Sequence, residues 1–406
     1  MGLRLLFVSM HTSPSDAPGS GDAGGMNVVE LNQAQALARL GHSVDLVTRR
    51  SDPVQPDLVD LAPGVRLRHL DAGPRRPLPK SAIDAHIAEF SAQLATLGPY
   101  DLIQSHHWMS GVAALPLAKS WQIPHVQSFH SVAALPGSPL SHGEPPESPG
   151  RVAGEAQCAQ ESDLIIAVST AEAGTVVERC GASPAQVRVI PPGVNLDRFR
   201  PAEPTESRPA CPWCGSTVGY MLMAARLQPL KGADLAIRAM AEIPAAARPD
   251  LMIAGDVSED FSDYRGEVES LIDALGMRNH VHFVGAQSRT DLAALMRHSL
   301  ALLVPSHSET FGLVALEGSA SGIPVVAASA GGLREVVVHE ETGFLMHDRD
   351  SVEWGAALNR LLAHEELRQR LGAIGRVHAF RYAWDDIGRS LAGAYTRLVR
   401  REARAY

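Results

Sequence analysis

The sequence is poor in cysteine, in long apolar runs and in positive charge. Four cysteines in 406 residues cannot form the disulfide framework of a small secreted protein. Cys211 and Cys214 form a lone C-x2-C pair, which supplies only two of the four ligands that structural zinc needs. We therefore interpret this pair as an incidental loop feature, with a redox disulfide or a metal site as the alternatives.

Long hydrophobic runs are missing as well. The first apolar run, Leu5 to Val8, is too short for the core of a signal peptide, and its composition indicates a buried strand. No run approaches the roughly 18 apolar residues that a membrane-spanning helix requires. The sequence therefore predicts a cytoplasmic protein without membrane contact.

Positive charge is outnumbered, because 36 lysines and arginines accompany 45 aspartates and glutamates, for a formal net charge of −9. This balance argues against non-specific binding to nucleic acid or to an anionic membrane. Hydrophobic residues make up 45% of the chain, and its length allows two domains with cores of their own.

Apolar runs alternate with helical patterns along the whole chain, beginning with a strand, a glycine-rich loop, a helix and a second strand. This rhythm is typical of doubly wound parallel sheets, and it occurs twice. We predict an α/β fold with a first domain at 1–200 and a second at 217–383. The proline-rich stretch between them is the predicted linker, and we expect the last helix, 384–406, to pack back on the first domain.

The stretch from Pro305 to Leu333 carries two carboxylates, Glu309 and Glu317, between a buried strand and two glycine-containing turns. A helix that begins near Gly312 would offer unpaired N–H groups and a positive dipole end to a phosphate. Carboxylates accept hydrogen bonds from hydroxyl groups. Together these features predict a sugar-nucleotide ligand.

Arg226 and Lys231 flank the turn RLQPLKG after a predicted strand. Two cations around one turn can neutralise a diphosphate, although solvated surface charges are the alternative. Likewise Glu309 could instead cap the following helix, and Glu317 could be an exposed helical acid. Spacing alone does not decide between these interpretations.

Several of the 17 histidines follow predicted strands, among them His11, His106, His107 and His130. A metal cluster is conceivable, but the acids and spacing of a catalytic zinc motif are missing, so we predict no metal site. We expect His107 and His130 to hydrogen-bond in a cleft, and His11 and His106 to pack behind them.

The sequence ETFG, with Glu317 eight positions after Glu309, resembles the E-x7-E motif of the retaining glycosyltransferases of family 4, which have the GT-B fold. The segments RLQPLKG, SGIPVVA, GGLREVV and ETGFL fit the same family. The resemblance implies two Rossmann-like domains that face each other across a cleft. Its donor-binding residues would be Gly25, Arg226, Lys231, Glu309, Phe311, Gly312, Leu313 and Glu317, with Glu309 on the hexose and Glu317 on the ribose.

Within that family, the segments SMHTSP, PGSGDAGGMNV and RVAGEAQ are similar to the glycosyltransferases of mycothiol biosynthesis, which join N-acetylglucosamine from UDP-GlcNAc to 1D-myo-inositol 3-phosphate. This likeness implies that Asn27 contacts the cyclitol. Lys80, Ser131 and Arg151 would bind the acceptor phosphate, and His130 would lie near the reacting hydroxyl.

The chain departs from the mycothiol pattern on the acceptor side. Those enzymes have SHYW where this chain has SHHW, so that His107 replaces a tyrosine whose hydroxyl contacts phosphate. They also have TAHT where this chain has SFHS at residues 128–131. His107 is still counted among the acceptor-binding residues. The alternatives are an antibiotic-pathway glycosyltransferase acting on a small thiol or aminocyclitol, or a UDP-sugar 2-epimerase.

The resemblance also implies a mechanism, a front-face displacement in which the departing phosphate oxygen accepts the proton of the acceptor. The predicted catalytic residues are Arg226, Lys231, His130 and Glu309, acting by positioning and charge stabilisation. No cofactor is required besides the nucleotide-sugar co-substrate, and Mg²⁺ is compatible with the scheme but not implied by it. The expected partners are two small molecules, and a homodimer is left open.

Overall fold

A computed structural model describes residues 2–16, 24–134, 148–206, 218–257 and 261–405, with side chains as far as residue 400. The Cys211 and Cys214 pair and most of the predicted linker lie outside the described residues. Their interpretation, and the boundary that the linker sets between the two domains, therefore stay predictions.

The first half of the chain forms an eight-stranded sheet in the order β3-β4-β2-β1-β5-β6-β7-β8, in which only β3 is antiparallel. Its strands are β1 (Arg4–Val8), β2 (Ser43–Arg49), β3 (Leu58–Ala62), β4 (Val65–Leu70), β5 (Leu102–His106), β6 (His125–Ser128), β7 (Leu164–Ala167) and β8 (Val187–Val189). Strand β3 could not be predicted from the sequence, because this short edge strand is half exposed and lacks a continuous apolar run.

The second half forms a six-stranded, fully parallel sheet in the order β11-β10-β9-β12-β13-β14. Its strands are β9 (Tyr220–Ala224), β10 (Asp250–Ala254), β11 (Val281–Gly285), β12 (Leu302–Val304), β13 (Val325–Ala328) and β14 (Gly343–Met346). Two doubly wound α/β units are thus present, which confirms the predicted fold class.

Helices connect the strands of both sheets. Those of the first half are α1 (Gly25–Arg39), α2 (Lys80–Ile83), α3 (Ile87–Leu94), α4 (Trp108–Trp121), α5 (Arg151–Glu161) and α6 (Thr170–Cys180). Those of the second half are α7 (Ala233–Ala241), α8 (Tyr264–Ala274), α9 (Arg289–Arg297), α10 (Leu313–Ala320), α11 (Leu333–Val336), α12 (Ser351–Ala363), α13 (Glu365–Ala379) and α14 (Trp384–Ala405). Among the residues with described positions, no helix is long and apolar enough to cross a membrane.

The segment from Ile83 to Leu97 is interrupted, although its apolar periodicity predicts one continuous helix. A 3-10 turn over Asp84–His86 separates α2 from α3. The break brings this segment against Gly73, whose N–H donates to a carboxylate oxygen of Glu89 at 2.7 Å. The ring of His86 fills the space that a side chain at Gly73 would need.

The core of the first sheet explains its continuous apolar runs. Leu5 and Phe7 pack on one face of the sheet, while Leu6 and Val8 pack on the other, and all four side chains are fully buried. Alternate residues of a strand point to opposite faces, so a parallel strand covered by helices on both sides must be apolar throughout.

The last helix, α14, packs against the first sheet although it follows the second in sequence. Its residues Trp384, Ile387 and Leu391 belong to the same apolar cluster as Leu5 and Phe7. Gly388 allows a close approach, since a Cβ there would lie 2.8 Å from the Cβ of Ala36 in α1. The chain therefore crosses back to its first half at its end.

The order of the strands in each sheet determines where the loops that carry the predicted site residues lie. Strand order reverses beside β1 and β5 in the first sheet and beside β9 and β12 in the second. In open α/β sheets, ligands bind at the carboxyl ends of strands next to such a reversal. The loops that follow these strands in the two sheets line a single cleft.

Candidate active site

The cleft encloses a cavity of about 410 Å³ with walls from both sheets. Thirteen of the fourteen predicted site residues line it. They are Gly25, Asn27, Lys80, His107, His130, Ser131, Arg151, Arg226, Lys231, Glu309, Phe311, Gly312 and Leu313. The roles assigned to these residues stay predictions, but their common location shows that the loops after the strands converge.

On the wall from the second sheet, Lys231 and Glu309 form an ion pair. The Lys231 ammonium lies 2.6 Å from Glu309 Oε1, which also accepts a hydrogen bond from the Ser306 hydroxyl at 3.0 Å. Lys231 closes a 3-10 turn, and Gly232 after it adopts φ +72. Both charged groups are mostly buried yet face the cavity, so an entering diphosphate would meet a pre-positioned cation.

Two glycines support the loop that carries Glu309. Gly332 donates its N–H to the Glu309 carbonyl at 3.0 Å, and Gly331 adopts φ +50 beside the same carbonyl. A Cβ at either glycine would overlap the backbone of residues 309–311. This close approach explains the glycine pair that follows β13.

Gly312 caps the helix that points at the cavity. It adopts φ +97, a conformation that favours glycine, and α10 begins immediately after it at Leu313. The first N–H groups of α10 have no acceptor within the helix, and Gly312 and Leu313 both line the cavity. Helix α10 therefore begins at the position that the sequence predicts.

Glu317 is the predicted site residue that does not line the cavity. It is 2% exposed, so the interpretation as an exposed helical acid is wrong. Its carboxylate pairs with the Arg289 guanidinium, with one contact of 3.2 Å, and that guanidinium lies over the Phe199 ring at 4.7 Å. Contact with a ribose would require this pair to share the carboxylate with the ligand.

A binding experiment tests the ribose role of Glu317. If the carboxylate accepts hydrogen bonds from a ribose, Glu317→Gln is expected to raise the Kd of UDP about tenfold, since a charged hydrogen bond contributes roughly 1.5 kcal/mol. The Kd of pyrophosphate, which has no ribose, should not change. Calorimetric titration measures both, and equal weakening of the two ligands would show that Glu317 acts on the fold instead.

On the opposite wall, Asn27 orders the loop after β1. Its amide nitrogen donates to Thr12 Oγ1 at 2.8 Å and to the Ser13 carbonyl at 2.5 Å, and its amide oxygen accepts from the Gly24 N–H at 3.0 Å. Both amide hydrogens are used, so a ligand could bond only to the oxygen. Asn27 thus has a structural task besides its predicted contact with the acceptor.

Arg151 is held in place before any ligand arrives. Its Nε lies 2.7 Å from Glu155 Oε1, and its Nη2 donates to the Ser131 hydroxyl at 3.1 Å. Glu155 in turn accepts from the Ala133 N–H at 3.0 Å. These contacts hold Arg151 and Ser131, which are both predicted to bind the acceptor phosphate, side by side at the N-terminus of α5.

His130 is the end of a buried polar chain. Its Nε2 hydrogen-bonds with His106 Nδ1 at 2.8 Å, and His106 Nδ1 lies 3.8 Å from Glu30 Oε1. Burial lowers the pKa of His130 to about 4 and raises the pKa of Glu30 well above its usual range. Burial also lowers the pKa of His106, so in all three groups it disfavours the charged form.

The same three groups could hold a metal ion. One ligand atom from each of Glu30, His106 and His130 lies within 4.8 Å of the others, and they are the one such group among the described residues. A carboxylate with two imidazoles suits several transition metals. However, the hydrogen bond between the two imidazoles already pairs the atoms that a metal would use.

The cavity is also lined by Glu172, which the sequence analysis did not select. Burial raises its pKa to about 7, and its carboxylate accepts from the Val168 N–H at 2.7 Å. It lies in the first turn of α6, where Ser169 caps the helix and donates its hydroxyl to the Thr310 carbonyl at 2.6 Å. Because S-x-x-E is a common capping box, its sequence signal indicates only a helix start.

Comparison with known proteins identifies the family. The model described as "Glycosyl transferases group 1" matches residues 216–378, and the "Glycosyl transferase 4-like domain" matches residues 24–193. A D-inositol 3-phosphate glycosyltransferase of Xylanimonas cellulosilytica is 37% identical over 98% of both chains. The chain belongs to the group 1 glycosyltransferases. The resemblance seen in the sequence is confirmed, and the protein is a glycosyltransferase.

Other glycosyltransferases agree with this assignment. The D-inositol 3-phosphate glycosyltransferase of Mycobacterium bovis is 37% identical over 98% of this chain and 83% of its own length. Sucrose-phosphate synthase of Thermosynechococcus elongatus superposes with a TM-score of 0.88 at 28% identity, over 98% of this chain and 99% of the other. The GT-B arrangement of two facing domains is therefore confirmed.

Proposed function

We propose that this glycosyltransferase moves a hexose, N-acetylglucosamine in the first instance, from its UDP donor to 1D-myo-inositol 3-phosphate with retention of configuration. The observation that carries the proposal is the placement of cations on both walls of one cleft. Arg226 and Lys231 suit the donor diphosphate, and Lys80 and Arg151 suit an acceptor phosphate. The names of the 37% identical relatives support the same acceptor.

The cavity walls favour transfer without a covalent enzyme intermediate. The carboxylates that line the cavity along the described chain are Glu172 and Glu309. Glu309 is paired with Lys231, and Glu172 bonds to backbone at a helix start, so neither is free to act as a nucleophile. In the proposed step, the bond from the sugar C1 to the diphosphate breaks as the acceptor oxygen bonds to C1 on the same face.

Charge and protons balance within the two substrates. The acceptor hydroxyl gives its proton to the departing phosphate oxygen, and Arg226 and Lys231 stabilise the negative charge on the nucleotide. His130 cannot supply a proton as an imidazolium, because burial lowers its pKa to about 4. As a neutral imidazole it can orient the acceptor hydroxyl by a hydrogen bond.

His107 favours a second candidate. It replaces the tyrosine of the mycothiol pattern on the acceptor wall, which allows an acceptor other than inositol 3-phosphate, such as a small thiol or an aminocyclitol. The donor wall is the same in both cases.

Acceptor dependence tests the proposed function. Purified protein with UDP-GlcNAc is expected to release UDP only when inositol 3-phosphate is added, and unphosphorylated myo-inositol is the matched control. Lys80→Gln should raise the KM for inositol 3-phosphate without changing the KM for UDP-GlcNAc. Turnover only with thiols or aminocyclitols would support the second candidate, and conversion of UDP-GlcNAc without any acceptor would contradict the proposed transfer.

We expect no metal requirement. The hydrogen bond between His106 and His130 already pairs the nitrogens that a metal would use, and two cations line the predicted diphosphate site. Turnover should therefore be unchanged after treatment with EDTA and dialysis. A loss of activity that returns with added Mg²⁺ or Zn²⁺ would contradict this prediction, and metal analysis of the untreated protein is the control.

The cytoplasmic location of the protein and its assembly into a homodimer likewise stay predictions.

A further inference from the structure

Two histidines, His11 and His107, lie against each other on the acceptor wall. His11 follows β1 and His107 follows β5, and their ring centroids lie 4.3 Å apart. Along the described chain, both ring nitrogens of His107 and the Nδ1 of His11 are buried with no partner. An unpaired buried polar atom destabilises a protein by roughly 1–3 kcal/mol. A ligand that hydrogen-bonds to these nitrogens would remove this free-energy cost.

The groups around this pair are cations or imidazoles. Lys80 from α2, Arg151 from α5 and His130 from the loop after β6 line the same cavity as both rings, and so does Arg226 from the second half of the chain. Burial and then the positive charges of Lys80 and Arg151 lower the pKa of both rings, so the rings are neutral in the free protein at neutral pH. The nearby carboxylate of Glu155 is tied to Arg151.

We propose that His11 and His107, together with Lys80 and Arg151, bind a doubly charged phosphate group, and that one of the two imidazoles takes up a proton when this group binds. The proposal rests on the proposed function, because the phosphate would be that of the acceptor. It adds that acceptor binding is coupled to protonation in this chain.

The coupling follows from the change in charge. In the free site, the neighbouring cations disfavour a further positive charge on either ring. A dianion cancels those charges and offers acceptor oxygens to a protonated ring, which can donate from both nitrogens. A tyrosine at position 107 would donate a hydrogen bond without taking up a proton, so the replacement makes affinity pH-dependent.

The direction of the pH dependence is fixed by linkage. Binding raises the pKa of one imidazole, so the complex holds more protons than the free protein. Affinity is then greatest at low pH and falls as pH rises through neutrality, by up to about tenfold per pH unit for one proton. Phosphate esters also titrate near pH 6, so the probe must not do so.

Sulfate is the appropriate probe, because it keeps both charges throughout the range in which histidines titrate. Isothermal calorimetry with sulfate, near pH 7 and in two buffers of different ionisation enthalpy, should show uptake of about one proton per bound sulfate. The Kd should rise close to tenfold between pH about 7 and 8. Inositol 3-phosphate at pH about 8, where it is fully charged, should also bind with proton uptake.

Variants distinguish proton uptake by His11 and His107 from sulfate binding by the surrounding cations. His107→Tyr and His11→Gln are expected to retain sulfate binding near pH 8 but to reduce the proton uptake, to near zero in the double variant. His364→Gln, at an exposed histidine far from the cleft, is the control and should keep the uptake. Lys80→Gln should weaken sulfate binding at every pH.

The proposal is overturned if sulfate does not bind saturably, if the heats are equal in both buffers, or if the double variant keeps the proton uptake. None of these measurements uses the donor or turnover. A failure to make product from inositol 3-phosphate would therefore refute the proposed function, whereas the sulfate data would still decide the proton-coupled site.

Discussion

Alanine in place of Arg226 is expected to lower kcat by about 100-fold or more, with a smaller effect on the KM for the donor. Arg226 follows β9 and lines the cavity where the donor diphosphate is proposed to bind. Its charge matters most when the nucleotide leaves, because negative charge then develops on the phosphate oxygen. Removing one such charge stabiliser typically costs about 2.7 kcal/mol or more in the transition state.

Single-turnover assays would measure this effect without interference from product release. Arg238→Ala removes an equal charge from an exposed position on α7 and should leave kcat unchanged. Lys231→Ala should also reduce kcat, and it leaves Glu309 without its cation. A kcat within a few-fold of the unmodified protein for Arg226→Ala would remove this residue from the catalytic set.

The second large effect is expected for Gly331→Ala. The methyl group would overlap the Glu309 carbonyl, and alanine disfavours the φ of +50 at this position. We expect a destabilisation of about 2 kcal/mol or more, together with a loss of at least tenfold in kcat/KM for the donor, since the loop carrying Glu309 must move. Thermal unfolding and donor titration would measure the two effects.

Gly174→Ala is the matched control for this substitution. Gly174 lies inside α6, and a Cβ there meets nothing within 4 Å. Alanine at that position should therefore keep activity and slightly raise stability. If Gly331→Ala behaved like Gly174→Ala, the close packing of Gly331 on the Glu309 loop would not matter for donor binding.

Much of the fold could be predicted because parallel strands buried on both faces leave a continuous apolar signal. Leu5 to Val8 and Leu300 to Val304 are clear examples, and their spacing with helical patterns indicated two doubly wound sheets. Edge elements lack that signal, which is why β3 was missed. The break between α2 and α3 depends on contacts with Gly73, and no local pattern shows such tertiary contacts.

The site was predictable to the extent that it lies in loops after strands. The topology brings these loops together whatever their detailed conformation. The pairing of Glu317 with Arg289 was not predictable, since Arg289 belongs to another helix, 28 positions away in sequence. Glu172 was not predicted either, because the S-x-x-E pattern from Ser169 to Glu172 indicates a helix start and contains no separate signal of a binding site.

The most direct test of the account is the structure of the product made from UDP-GlcNAc and 1D-myo-inositol 3-phosphate. Nuclear magnetic resonance of the purified product would show the anomeric configuration of the new bond. We predict a phosphorylated GlcNAc–inositol conjugate with the α configuration of the donor. A β-linked product would contradict retention, and the absence of any conjugate with this acceptor would contradict the proposed function.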